Sequence, residues 1–136
     1  MAKKILIVED IEDSRSILVL LLQRHCGYET MEAATGVEAV EKAIAGKPDL
    51  IVMDLGLPGM SGVDAAKLLK ENPTTTHIPI VAHTAWSAAQ WGDRAREAGM
   101  IGFLEKPVPI KVMKETIEKL FVAADRPTLQ PRLATS

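Results

Sequence analysis

Leu50-Ile51-Val52-Met53-Asp54-Leu55-Gly56-Leu57-Pro58-Gly59 sets four apolar residues directly before an acid and a glycine-rich turn. A short apolar run closed by a turn predicts a strand buried on both faces. Ile5-Leu6-Ile7-Val8 is a second such run and ends in Glu9-Asp10. Phe103-Leu104 is a third and ends in Glu105-Lys106-Pro107. Three strands thus deliver acids and a lysine at their C-terminal ends. In open parallel α/β sheets that edge is where ligands bind.

The intervening segments have helical period. Ser14–Cys26 places Ile17, Leu18, Leu21 and Leu22 on one stripe and stops at Gly27. Gly36–Ala45 turns Val37, Val40 and Ile44 to one face. Ser61 is a cap for a helix over Gly62–Glu71, with Val63, Ala66 and Leu69 inward. Ser87–Ala98 aligns Ala88, Trp91, Ala95 and Ala98, and Pro109–Ala123 aligns Ile110, Met113, Ile117, Leu120 and Phe121. Tyr28–Ala33 and Ile78–Thr84 complete the strands, the first polar enough for a sheet edge. Five βα units predict a doubly wound α/β domain: a five-stranded parallel sheet with helices on both faces. The small-protein solution is the flavodoxin-like strand order 2-1-3-4-5. Residues 1–123 form the expected domain. Residues 124–136, with Pro127 and Pro131 and no periodicity, are expected to be a disordered tail.

Composition bounds the function. The 136 residues suit one domain, and 47% apolar with 25% charged content is ordinary for a globular protein. A net charge of -2 and no basic run give no field for nucleic acid or anionic membranes. No apolar stretch nears ~18 residues, and no signal peptide is recognisable. A single cysteine, Cys26, fits a reducing cytosol.

Glu9, Asp10 and Asp54 would be neighbours if the first and third strands pair. Like charges so placed repel, and a bound cation relieves them. Hard carboxylate oxygens suit Mg²⁺, whereas His25, His77 and His83 lack the spacing of zinc ligands. Lys106 adds a point charge, and Thr84 a hydroxyl at the end of the fourth strand. Together these parts can hold a phosphoryl group. Asp54, ending the central strand with Gly56 leaving space beside it, is the candidate nucleophile for an acyl phosphate. Each residue alone has an ordinary reading as turn former, strand former or solvated lysine. The joint placement at strand ends is what points to chemistry.

These residues resemble the receiver domains of bacterial two-component response regulators, the CheY-like family. The resemblance spans about residues 3–122. It rests on Ile7-Val8-Glu9-Asp10, on Met53-Asp54 with Leu57-Pro58-Gly59-Met60-Ser61-Gly62, on Thr84-Ala85, and on Lys106-Pro107. His77-Ile78-Pro79-Ile80-Val81 and Thr84-Ala85-Trp86 resemble stand-alone receivers of the DivK type. The resemblance implies that Asp54 is the phosphoacceptor, charged from a sensor histidine kinase or a histidine phosphotransfer protein. It implies Mg²⁺ at Asp10, Asp54 and the Gly56 carbonyl, with Glu9 acting through a bound water. Lys106 would pair with phosphoryl oxygens. Thr84 would move to the phosphoryl group, and Phe103 would turn inward as the switch aromatic.

The sequence departs from the family pattern in places. Glu9 stands where Asp is frequent, and Phe103 lacks a tyrosine hydroxyl. Gly56 and Trp86 occupy the positions that tune dephosphorylation in the family. His83 sits where an apolar residue is usual, either as a satisfied half-buried histidine or as a pH-sensitive element. Trp91 is expected in the core and Trp86 as an anchor for a partner. Residues 124–136 are too few for an output domain, so signalling is expected through a downstream protein target or onward phosphotransfer. No nucleic acid or membrane is expected as a partner. A cytoplasmic monomer or weak dimer is expected, with no enzymatic turnover beyond self-phosphorylation and autodephosphorylation. Three alternatives are weaker. A phosphatase of the haloacid-dehalogenase type needs an Asp where Gly56 stands, and a cap domain. A flavodoxin needs a phosphate loop where Glu9-Asp10-Ile11-Glu12-Asp13 would repel phosphate. A degenerate receiver would not fill all the key positions.

Overall fold

The computed structural model describes residues 2–125. Strands β1 (Lys4–Val8), β2 (Glu29–Ala33), β3 (Leu50–Met53), β4 (Ile80–Thr84) and β5 (Gly102–Glu105) alternate with five helices. These are α1 (Glu12–Cys26), α2 (Gly36–Gly46), α3 (Gly62–Glu71), α4 (Ala88–Glu97) and α5 (Ile110–Asp125). All strand pairs are parallel, in the order β2-β1-β3-β4-β5. The expected fold class, strand order and two-faced helix packing are all present. The tail expected from residue 124 falls, beyond Asp125, outside the described residues.

Central strands β1 and β3 are nearly wholly buried, which is why they read as unbroken apolar runs. Even numbers in β1 and odd numbers in β3 face one core layer: Leu6, Val8, Ile51 and Met53 pack with α2, α3 and α4 residues. Ile5, Ile7, Leu50 and Val52 face the other layer, with Leu18, Leu22, Met113 and Ile117 of α1 and α5. The register sets Val8 opposite Met53, and Asp54 N–H donates to the Val8 carbonyl at 3.0 Å. The residues that follow both strands therefore emerge at one level. On the other side Thr84 pairs with Glu105, and Lys106 N–H donates to the Thr84 carbonyl at 2.7 Å.

Helix ends follow their sequence signals. Ser61 accepts from Asp64 N–H and Ser87 from Gln90 N–H, and Gly27 ends α1 at φ 72°. The inward faces of α3 and α5 are as expected, and those of α1, α2 and α4 depart in part. Ile17 is 59% exposed, and α1 buries Leu18, Val19 and Leu22 instead. In α2 Val37 and Ile44 are exposed, and Ala39 and Ala43 are fully buried. The cause is a close approach: a Cβ on Gly36 would lie 2.8 Å from the Met60 carbonyl oxygen, and one on Gly46 2.4 Å from the Met31 methyl carbon. At that separation small residues pack and branched ones do not fit. In α4, Ala88 is exposed and Trp91 half-buried, leaving Ala95 and the adjoining Ala98 in the core. Strand β4 starts at Ile80, after Pro79, two residues later than the sequence indicates. Among the described residues no helix is long and apolar enough to cross a membrane.

Candidate functional site

The C-terminal edge of β1, β3 and β5 gathers Glu9, Asp10, Asp54 and Lys106. Glu9, Asp10 and Asp54 each offer a carboxylate oxygen within 4.8 Å of the others. Lys106 Nζ donates to Glu9 Oε1 and, at 3.4 Å, to Asp54 Oδ2. One ammonium thus faces two carboxylates, and the third acid, exposed Asp10, has no hydrogen-bond or ion-pair partner among the described residues. Three acids against one base leave a net negative cluster.

Burial decides the titration of this group. Glu9 is only 5% exposed, and burial pushes its carboxyl above the ordinary value, against hydrogen bonds from Lys106 and Ile11 N–H that favour the charged form. Burial would lower Lys106, yet its bonds to Glu9 and Asp54 and their negative charge hold it above its ordinary value. The cluster therefore has a charged lysine and a carboxylate that is costly to ionise. A hard dication fits such a donor set: carboxylate oxygens, one of them exposed and unpartnered, at the end of a parallel sheet.

Asp54 is fixed by its own backbone. Its Oδ1 accepts from Gly56 N–H at 3.2 Å. Behind it, Gly62 opens α3 directly against the chain: a Cβ there would sit 2.1 Å from the Asp54 carbonyl oxygen. Only glycine permits that approach. In sequence Gly62 reads only as a helix start, and this role is not visible there. The nearest signal was its place just after the Ser61 cap.

Thr84 is fully buried, and its Oγ1 accepts from Trp86 N–H at 3.2 Å. A hydroxyl that accepts there keeps its own proton free to donate. Phe103 is half-buried and lines a groove of about 610 Å³ between α4 and β5. Neither Thr84 nor Phe103 joins the hydrogen bonds of the acids among the described residues. Trp86, expected as an anchor for a partner, is half-buried. Its indole covers Gly56, where a Cβ would lie 3.1–3.3 Å from ring atoms. It also stacks on Trp91 at 4.5 Å between centroids, and the Arg94 guanidinium lies 4.8 Å from the Trp91 ring. Trp91, expected in the core, packs half-buried against it.

His83 points to the opposite layer, into a groove of about 300 Å³ that includes Glu9, Leu18, Leu21 and Lys106. It is half-buried and makes no hydrogen bond to the described residues, and because no buried side-chain polar atom among them lacks a partner, its ring nitrogens keep contact with solvent. Burial, then the Lys106 charge, pushes its imidazole down to about 4, with Asp54 opposing. Two further features were not anticipated. Glu105 Oε1 accepts from Ala88 N–H at 2.9 Å, tying β5 to the start of α4. The Lys106–Pro107 peptide is cis.

Comparison with known proteins agrees with this geometry. Residues 5–118 match the response regulator receiver domain family. The polar-differentiation response regulator DivK of Brucella anthropi is 36% identical over 118 residues, covering 87% of this chain and 95% of DivK. A putative response regulator from Chloroflexus aurantiacus superposes with a TM-score of 0.84 at 30% identity, over 90% of this chain and 99% of that one. The receiver domain of a Pseudomonas aeruginosa sensor histidine kinase, with a magnesium ion coordinated in its active site cleft, gives 0.82 at 27% identity, over 90% and 99%. The chain belongs to the response regulator receiver domain family.

Proposed function

We propose that the chain is a phosphorelay receiver whose Asp54 carboxylate takes a phosphoryl group from a histidine-phosphorylated kinase or phosphotransfer protein. The observation that carries this is Lys106 facing both Glu9 and Asp54 while Asp10 stands unpartnered beside them. In the reaction an Asp54 oxygen attacks phosphorus, an O–P bond forms and the donor's N–P bond breaks. The released imidazole takes its proton from water. Gly56 N–H holds Oδ1, which orients the carboxylate for attack. Lys106 stays protonated and offers its charge to the equatorial oxygens of the moving phosphoryl group.

Asp10, Asp54, the Gly56 carbonyl and, through water, Glu9 would hold Mg²⁺. When bound, the ion neutralises charge that develops on the transferring oxygens. Once an acyl phosphate forms, the Thr84 hydroxyl is the free donor on the adjacent strand, and Phe103 borders the space it would leave. The readout is then a protein target or an onward phosphotransfer, from a cytoplasmic monomer or weak dimer without turnover of an independent substrate.

The test is incubation with acetyl phosphate, followed by intact-mass spectrometry. One added phosphoryl group is expected with Mg²⁺ and none without it, nor in Asp54→Asn. Equal labelling of Asp54→Asn, or labelling in chelator, would overturn the assignment.

A further inference from the structure

Asp10 presents a difficulty that the remainder of the cluster does not. Glu9 is pinned by Lys106 and by Ile11 N–H, and Asp54 by Gly56 N–H and Lys106. The Asp10 carboxylate is exposed and bonded to nothing among the described residues. Its direction is therefore set by its backbone alone. That backbone lies beyond β1: Glu9 N–H makes the last bond to β2, at 3.0 Å to the Ala33 carbonyl. The Glu9 carbonyl, which begins the peptide into Asp10, accepts instead from Arg15 Nη1 at 2.8 Å. Arg15 Nε in turn donates to Glu32 Oε1 of β2 at 3.0 Å, and the arginine side chain is only 15% exposed.

We propose that Arg15 is a positioning residue for cation binding: by bridging the Glu9 carbonyl to Glu32 it fixes the Glu9–Asp10 peptide and so aims Asp10 at Asp54. The inference rests on the function proposed above. A guanidinium suits the task, because its rigid fork carries several donors and can hold two acceptors at once. Lysine has the same charge but a flexible stem and a point-like head. Outer groups that orient metal ligands are commonly worth tenfold or more in affinity.

Charge and positioning give opposite signs here, which makes the inference testable. Arg15 is a cation beside a cation site. If its charge were all that mattered, neutralising it would tighten Mg²⁺ binding. If it positions Asp10, neutralising it weakens binding in spite of the lost repulsion.

The experiment is calorimetric titration of the full chain with Mg²⁺. Arg15→Gln is expected to raise Kd about tenfold, and Arg15→Lys to raise it nearly as much, as for lost outer-shell support. Glu32→Gln, which loosens only the far end of the bridge, is expected to give a smaller rise, about threefold on the same scale. Val19→Ala, on the buried face of the same helix, controls for general destabilisation and is expected to leave Kd unchanged. Should Arg15→Gln fail to fold, Arg15→Lys carries the test, because it keeps the charge and loses only the rigid fork. Mg²⁺ binding by wild type, with Arg15→Gln equal or tighter or with Arg15→Lys equal, would overturn the positioning role alone. No Mg²⁺ binding by wild type would overturn the proposed function as well.

Discussion

His83 offers a quantitative test of how the site is built. Its imidazole is pushed down to about 4 from 6.5, chiefly by burial. The unfolded chain takes up this proton as pH falls through the ordinary value. The folded protein takes it up only near the depressed one. Between the two the unfolded state binds more protons, so stability falls with falling pH. The histidine's contribution is intact above about 6.5 and lost by about 4. The whole shift corresponds to roughly 3 kcal/mol, of which roughly 2 kcal/mol has gone by about pH 5. Glu9 works the other way, because its raised carboxyl is protonated earlier in the folded state. Both proteins compared below contain Glu9, so its part cancels.

The perturbation is His83→Leu, which suits a groove that already contains Leu18 and Leu21. Urea unfolding without Mg²⁺, at steps from about pH 7.5 down to about pH 4.5, gives the stability of each protein. The variant is expected to gain on wild type as pH falls, by roughly 2 kcal/mol at about pH 5 relative to its standing at neutrality. A difference that stays flat across this range would refute the argument: His83 would then be as solvated folded as unfolded.

Three further outcomes are expected. Lys106→Met leaves Glu9 and Asp54 without their cation, at a cost of about 2 kcal/mol once partial exposure is allowed for. Its melting temperature should also rise more steeply with Mg²⁺ than that of wild type, and parallel rises would count against the shared site. Gly62→Ala puts a Cβ 2.1 Å from the Asp54 carbonyl oxygen, backbone against backbone. It should cost about 3 kcal/mol or more in urea unfolding, and a loss under 1 kcal/mol would mean the α3 start moves freely. With acetyl phosphate and Mg²⁺, hydrogen exchange should change more over residues 84–106 than in α1. Thr84→Ala should accept the phosphoryl group yet lose most of that change, and an undiminished change would remove Thr84 from the switch.

The strands were legible because burial on both faces writes an unbroken apolar run, and because the residue after each run is where the run stops. Helix orientation was less legible. Size-ranked hydrophobicity favours Ile17, Val37 and Ile44, yet these are exposed and Ala39 and Ala43 are buried. A helix that packs closely selects small residues for its inner face, and closeness is a property of two elements, not of one stretch of sequence. Gly36 and Gly46 were the local trace of that closeness, but they read equally well as a helix start and stop.

The site divides along the same line. Glu9, Asp10, Asp54, Thr84 and Lys106 could be grouped from sequence since each follows or ends a strand, and a parallel register brings strand ends together. What holds them could not. Arg15 reaches the Glu9 carbonyl six residues back and Glu32 seventeen residues on, and the second partner depends on Ile7 lying opposite Glu32 in the β1–β2 register. Glu105 caps α4 across the same number of residues, through the β4–β5 register. Trp86 closes over Gly56 because Gly56 has no side chain, a complementarity between two loops that neither announces. The charged residues of the candidate site stand where the chain's own pattern ends. Those that position them are recognised only once the strands are side by side. That is why Arg15, an unremarked helix residue in sequence, carries the one test here that separates geometry from charge.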